Sequence, residues 1–179
     1  MNGFHKLATG GFTLIETMVA ISILTFAMAG PLFTASRAIV AAQTARDQLT
    51  ATYLAQEAIE QVRFMRDTNV LLGDDWMAQG LGNCDDNEVV AGCYIDVWQD
   101  ADLTVCPEEG CPILKYNSTS RRYQYSNGED TSFRRTINIE DTPNTFEKVI
   151  TVRVEWRSGV QAHSVVITDR IFDWASGLI

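Results

Sequence analysis

The chain has 179 residues, of which 14 are basic and 23 are acidic, so that its formal net charge is −9. This length is enough for a long helix and one small domain. A chain this acidic does not bind nucleic acid through its overall electrostatic field.

An apolar segment with a single acidic residue occupies the N-terminal part of the chain. Glu16 is its only charge before Arg37, and residues 17–36 form an uncharged run of 20 residues, long enough to span a bilayer core. A carboxylate in hydrocarbon costs several kcal/mol and marks a functional site, which needs a positive partner. The stretch from Phe12 to Ser36 contains no Lys or Arg, so the partner must come from elsewhere.

The residues around Glu16 carry a resemblance to a known family. The string Gly11-Phe12-Thr13-Leu14-Ile15-Glu16, after a short leader that contains Lys6, resembles the class III signal of type IV pilins and type II secretion pseudopilins. The resemblance implies that a prepilin peptidase cuts after Gly11 and methylates the new amino terminus of Phe12. It also implies that Glu16 meets the Phe12 amine of a neighbouring pilin subunit in a filament built at an inner-membrane assembly platform.

A plain signal anchor that is never cut or assembled is the main alternative. It would explain the length of the apolar segment and would use Lys6 as a positive flank. It gives no reason for Glu16 or for the string from Gly11. An ordinary secretory signal fits less well, because its cleavage site follows the apolar region instead of preceding it.

One long helix is expected from Phe12 to about Asp67, interrupted in its apolar part by Gly30 and Pro31. Proline inside a helix removes one backbone hydrogen bond and clashes with the preceding turn. We therefore predict a kink or a locally melted segment at residues 27–31.

Beyond the membrane segment the helix pattern becomes one-sided, which predicts that this half packs on a domain. Apolar residues recur at intervals near three and four, and charged residues occupy the other faces. The positions expected to pack are Leu49, Tyr53, Leu54, Ala58, Val62 and Met65.

The four cysteines, Cys84, Cys93, Cys106 and Cys111, lie in a loop-rich stretch beyond the membrane segment. Three pairings are possible, and the short loops favour Cys84 with Cys93 and Cys106 with Cys111. A zinc site is the alternative. The spacings do not form two Cys-x-x-Cys knuckles, and an exported domain favours disulfides.

The remaining pattern predicts an antiparallel sheet. Residues 150–156 alternate between apolar and polar side chains, which is the period of a half-buried strand. Flanking segments make a meander with it, across a turn at Ser158-Gly159. The expected strands are Cys93 to Trp98, Ile113 to Tyr116, Arg122 to Ser126, Phe133 to Glu140, 150–156 and Ala162 to Ile171.

The predicted fold is therefore α+β, with the amphipathic half of the helix laid across a small antiparallel sheet. The resemblance to pilins implies the same architecture. The expected organisation is a leader at residues 1–11, a transmembrane and assembly helix at 12–40, the amphipathic half at 41–68 and a disulfide-bearing β domain at 69–179.

Few residues are suited to catalysis, so an enzyme and a cofactor are not expected. His5 lies in the leader and His163 in a predicted strand, and the sequence has no nucleophile elbow, zinc-protease motif or phosphate-binding loop. Acidic clusters could bind calcium, as some pseudopilins do, but without a twelve-residue calcium loop a solvated loop is the stronger interpretation. These clusters are Asp85, Asp86 and Glu88, and Asp100 with Asp102.

The predicted function is a structural subunit, a minor pilin or pseudopilin, of a type IV pilus-like or type II secretion filament. It would be anchored in the inner membrane by one span, with its C-terminal domain outside the cytoplasm. The alternative is a tip adhesin or a DNA-binding pilin, which would use the basic and aromatic stretch at 121–125 together with Arg134 and Arg135. Nucleic acid is the less favoured partner, because these arginines can pair with the surplus acids.

Overall fold

The computed structural model describes residues 11–78, 80–84, 91–99 and 102–175. It contains one long helix and an antiparallel sheet, which confirms the α+β fold. The chain divides into two compact units, residues 1–45 and 46–179, and the helix contributes residues to both. The domain boundaries expected from the sequence stay predictions.

Helix α1 extends from Leu14 to Leu72 and is 59 residues long. It ends at Gly73, which has a φ of +79°. The amide of Gly73 donates to the carbonyl of Val70, and the amide of Asp74 donates to the carbonyl of Asn69, a pair of bonds that closes helices before a left-handed residue. The expected end near Asp67 is therefore too early, because nothing before Gly73 stops the helix.

The helix is continuous through Gly30 and Pro31. Residues 27–31 are all helical, so the expectation of a locally melted segment is wrong. The backbone hydrogen bonds of the surrounding turns hold the helix together although Pro31 has no amide hydrogen to donate. The kink at this position stays a prediction.

Within the described ranges the sheet has seven strands. β5 is central: β6 pairs with one of its edges, while β1 and β3 share the other edge, β3 near the start of β5 and β1 further along. β2 extends the sheet from β1, β4 from β3, and β7 from β6. The strands are β1 Cys93–Tyr94, β2 Thr104–Val105, β3 Ile113–Asn117, β4 Arg122–Gln124, β5 Glu129–Asp141, β6 Glu147–Ser158 and β7 Gln161–Phe172.

β1 is shorter than the strand expected at Cys93 to Trp98, because Asp96 turns the chain. Its side chain is buried and accepts hydrogen bonds from the amides of Trp98, at 3.3 Å, and Tyr125, at 2.9 Å. Its carbonyl accepts a further bond from the amide of Gln99. An aspartate that bonds the backbone two residues ahead favours a turn over a strand.

The core lies between residues 51–69 of α1 and the inner face of the sheet. Small residues on the helix allow close approach to strands that present branched and aromatic side chains. Leu49 and Tyr53 are exposed, so their expected packing is wrong: at 100° per residue they lie on the side of the helix opposite to Val62. The buried helix residues are Ala51, Leu54, Ala55, Ala58, Ile59, Val62, Met65 and Asn69.

Two disulfides and a buried amide hold the connection between helix and sheet. Cys84 is bonded to Cys93, and Cys106 to Cys111, which are the two short-range pairs that the spacing favours. The side-chain amide of Asn69 donates to the carbonyl of Ala78 at 2.6 Å, and so ties the end of α1 to the chain that follows.

Candidate assembly site

The proposed cleavage site lies immediately before the first turn of α1. Gly11 and Phe12 are non-helical and exposed, and Thr13 caps the helix. The carbonyl of Thr13 accepts hydrogen bonds from the amides of Glu16 and Thr17, at 3.1 and 3.2 Å, and its hydroxyl lies 3.4 Å from the Glu16 amide. The bond between Gly11 and Phe12 thus lies outside the helix, and a peptidase can reach it without unwinding a helix.

Glu16 lies in the first turn of α1, where the partial positive charge of the helix N-terminus favours a carboxylate. Among the described residues, no Lys or Arg lies within 4 Å of its carboxylate. The side chain therefore has no counter-ion within this part of its own chain.

The apolar part of α1 presents its side chains outward. Residues 11–43 are exposed, including Phe12, Phe26 and Leu32, and the most apolar stretch has a mean hydropathy of 1.8. By length and composition this helix can cross a membrane.

Several hydroxyl groups in this segment are bonded within the helix. Thr17, Ser22, Thr25 and Thr34 each donate to a backbone carbonyl three or four residues earlier. This arrangement suits hydrocarbon, because no water is needed to satisfy these groups. Glu16 is the residue in this span whose charge still requires a partner.

Pro31 contributes a carbonyl but no amide, so the carbonyl of Ala27 lacks its regular donor. Downstream, the Thr34 hydroxyl lies 3.2 Å from the Gly30 carbonyl and 2.9 Å from the Pro31 carbonyl. A hydroxyl bonded back into the preceding turn loosens a helix and favours bending.

Comparison with protein families finds a match at the N-terminal end of the chain. The prokaryotic N-terminal methylation motif matches residues 7–30, which carry the class III signal of type IV pilins and pseudopilins. Residues 7–10 of the match lie outside the described part of the chain. The motif supports a type IV pilin-like or pseudopilin subunit, and proteins with this signal are structural.

The same signal implies processing by a prepilin peptidase and assembly with other pilins. The match covers the N-terminal signal and does not extend into the β domain. Comparison with curated proteins and with solved structures finds no match.

In the domain, Arg135 is a charged residue at a buried position. It lies on β5 between Phe133 and Ile137, whose side chains share its face of the sheet, and only 1% of its side chain is exposed. Its guanidinium donates to the carboxylate of Glu57 at 2.8 Å and to the carbonyl of Ile95 at 2.9 Å. The alternation along β5 could have revealed this position from the sequence, because an arginine on the apolar face needs a partner.

The basic stretches do not form one continuous patch, which corrects the arrangement expected for a DNA-binding pilin. Arg135 is buried, and Arg134 lies on the opposite face of β5. Arg121 and Arg122 are exposed and lie near α1. The expected surface is thereby reduced to these two arginines and the aromatic residues beside them.

Among the described residues, no group of three metal-ligating side chains is close enough to hold an ion. Of the acidic residues considered for calcium, Asp85, Asp86, Glu88 and Asp100 lie outside the described residues. His163 is on β7 and stacks on the ring of Trp156, with their ring centroids 5.4 Å apart. A stacked imidazole beside a buried indole is a packing residue of the sheet.

Proposed function

We propose that this chain is a minor pilin or pseudopilin that is cut after Gly11, methylated at Phe12 and assembled into a filament through its N-terminal helix. The observation that carries the proposal is the methylation motif at residues 7–30, with Glu16 as the only charged side chain between Phe12 and Ser36. Before assembly, one inner-membrane span anchors the protein, and the disulfide-bearing domain lies outside the cytoplasm.

Cleavage creates the partner that Glu16 lacks. Before the cut, the nitrogen of Phe12 is a neutral amide, and after it the same nitrogen is an ammonium group. A buried carboxylate that loses its partner costs about 3–5 kcal/mol, whereas the paired charges cost much less. Because the ammonium of a neighbouring subunit must meet Glu16, a slip of one residue between adjacent helices is disfavoured.

The segment at 12–40 then exchanges lipid for neighbouring helices during assembly. The hydroxyls of Thr17, Ser22 and Thr25 are already bonded within the helix, so that their transfer between lipid and protein breaks no hydrogen bond. A bend at Gly30-Pro31 helps adjacent helices to pack. The apolar side chains that are exposed in the single chain become buried in the fibre.

The outer half of the helix supports the same proposal. Leu49, Tyr53, Phe64 and Leu71 are each at least 60% exposed, and they form a stripe on the side of α1 opposite to the buried residues. A stripe of large apolar side chains on a soluble domain marks a surface that another protein covers. Packing against other subunits would extend the contact from the membrane segment into residues 49–71.

Substitution of the acid in the span tests the proposal. We expect Glu16→Ala to be inserted and cut after Gly11 but to be incorporated poorly into filaments, because the ammonium of the next subunit finds no counter-charge. Ser22→Ala is the matched control: it removes a polar group of the same span that is bonded within its own helix. Normal incorporation of Glu16→Ala would remove Glu16 from the mechanism.

A further inference from the structure

A groove with a volume of about 410 Å³ lies between α1 and the hairpin of β3 and β4. It is lined mainly by aromatic and basic side chains. These include Tyr53 and Glu57 from the helix, Trp98 from the turn after β1, and Arg121, Arg122 and Tyr123 from the hairpin. Trp, Tyr and Arg are the residues most enriched at the centres of protein interfaces.

The two arginines of the groove have no counter-ion among the described residues. The guanidinium of Arg122 lies 3.7 Å from the centroid of the Trp98 ring, and that of Arg121 forms no ion pair within 4 Å. Glu57 also lines the groove, but its carboxylate is engaged by Arg135. The groove therefore presents two unneutralised positive charges on a chain of net charge −9.

The hairpin holds these arginines in a fixed position. The side chain of Asn117 accepts hydrogen bonds from the amides of Thr119 and Ser120, at 2.9 and 3.0 Å, which shapes the loop. Arg121 closes the loop with a φ of +56°, a conformation that glycine adopts more easily. An arginine at such a position is a strained residue that points to a function for its side chain.

A second surface of the same chain has the complementary chemistry. Glu108 and Glu109 are exposed on a turn closed by the disulfide of Cys106 and Cys111, and Gly110 completes the turn with its amide bonded to the carbonyl of Pro107. Neither carboxylate lies within 4 Å of a Lys or Arg among the described residues. Two carboxylates are thus presented on a short covalent ring.

The groove and the acidic turn lie on opposite faces of the sheet and do not meet within one chain. The groove is on the side of α1. The turn lies beside Arg134, since a Cβ placed on Gly110 would be 2.9 Å from the Nη1 atom of Arg134, and Arg134 is on the face of β5 opposite to Arg135. A contact between these two surfaces joins different patches of two copies, and its repetition builds an open filament where the rotation between copies does not close into a ring.

We propose that the groove of Arg121 and Arg122 receives the turn of Glu108 and Glu109 from a second copy of this chain. This inference rests on the proposed function as an assembling subunit. The turn matches the groove in charge, two carboxylates for two guanidinium groups, and its flanking Val105 and Pro107 meet the aromatic lining. Nucleic acid fits less well, because a long polyanion extends beyond two arginines, whereas the turn brings only two carboxylates to them.

The test uses the full chain in cells that assemble it, with a photoreactive benzoylphenylalanine at position 53. Irradiation of the wild type is expected to join position 53 to a peptide of another copy that contains Glu108 and Glu109. Arg121→Glu with Arg122→Glu, and separately Glu108→Arg with Glu109→Arg, are each expected to lower the yield about tenfold or more. The chain with all four substitutions is expected to recover most of the wild-type cross-link yield.

The control is Arg153→Glu with Arg157→Glu, which makes the same change of charge at two exposed positions of β6. Its cross-link yield is expected to match that of the wild type. A fourfold variant that recovers nothing, or a cross-link from position 53 to nucleic acid or to an unrelated protein alone, would overturn the inference.

The outcomes separate this inference from the proposed function. If the wild type is cut and incorporated while charge reversal leaves incorporation and cross-linking unchanged, the groove contact is wrong and the filament proposal stands. If the wild type is never cut or incorporated, the filament proposal and the groove contact fail together.

Discussion

Arg135 and Glu57 join the central strand of the sheet to the helix through a hydrogen-bonded ion pair of 2.8 Å. The same guanidinium reaches the carbonyl of Leu54 at 3.0 Å, one turn earlier on α1. A buried arginine of this kind fixes which turn of the helix faces which part of β5, since any shift would leave the charge without its partners.

Removal of the carboxylate is expected to destabilise the domain strongly. Glu57→Ala leaves the Arg135 charge buried without its counter-ion, and we expect a loss of about 2 to 4 kcal/mol in the free energy of unfolding. Chemical denaturation of the full chain in detergent measures this change. A loss below about 0.5 kcal/mol would show that the pair does not hold the helix on the sheet.

Glu60→Ala is the matched control for that experiment. Glu60 pairs with Arg63 on the exposed side of the same helix, and 67% of its side chain is exposed. Exposed pairs contribute little, because water and salt screen them. This variant is expected to unfold as the wild type does.

The disulfide of the acidic turn is expected to stabilise the fold and to hold Glu108 and Glu109 in place. Cys106→Ser with Cys111→Ser opens a ring whose cysteines are 5 residues apart, with an expected loss of about 2 kcal/mol. The yield of the cross-link from position 53 is also expected to fall in this variant. An unchanged cross-link would show that the ring does not preorganise the contact.

Replacement of the proline in the span is expected to stiffen α1. Pro31→Ala supplies the amide that the carbonyl of Ala27 lacks. Amide exchange of the full chain in lipid bilayers is expected to slow at residues 28–34. Exchange that is unchanged in this segment would argue against a bend at Gly30-Pro31.

Because two tyrosines of the domain have raised pKa values, we expect the free energy of unfolding to fall at high pH. Burial raises the pKa of Tyr125, an effect that nearby Arg135 partly offsets, and burial also raises the pKa of Tyr123. The unfolded chain then releases these protons first, near pH 10, so the stability present below that pH falls as the pH rises toward the folded-state pKa values. Tyr125→Phe is expected to flatten this dependence in alkaline unfolding titrations, and an equally steep profile would contradict it.

The β6 strand and the N-terminal motif could be predicted from the sequence because each is marked by a pattern of several residues. Alternation over 150–156 predicts the strand that becomes β6, and the string at Gly11 to Glu16 predicts the motif that the family comparison finds. In both cases several residues contribute to the pattern, so that one residue that departs from it does not conceal the strand or the motif.

The remaining features depend on single residues and their tertiary partners. Asp96 ends β1 through a hydrogen bond to the amide of Tyr125, which lies far along the chain, and the burial of Arg135 depends on Glu57. Leu49 and Tyr53 fit a periodic stripe by spacing, but the alanines at 51, 55 and 58 form the packed face. Alanines give a weak apolar signal in a sequence, although these three are fully buried in the structure.

The mass of the native N-terminus tests the central claim most directly. Mass spectrometry of the protein recovered from assembled fibres is expected to find a chain that begins at Phe12 and carries one methyl group on its amine. A protein that retains Met1 and occurs only in the membrane, never in a fibre, would contradict the account.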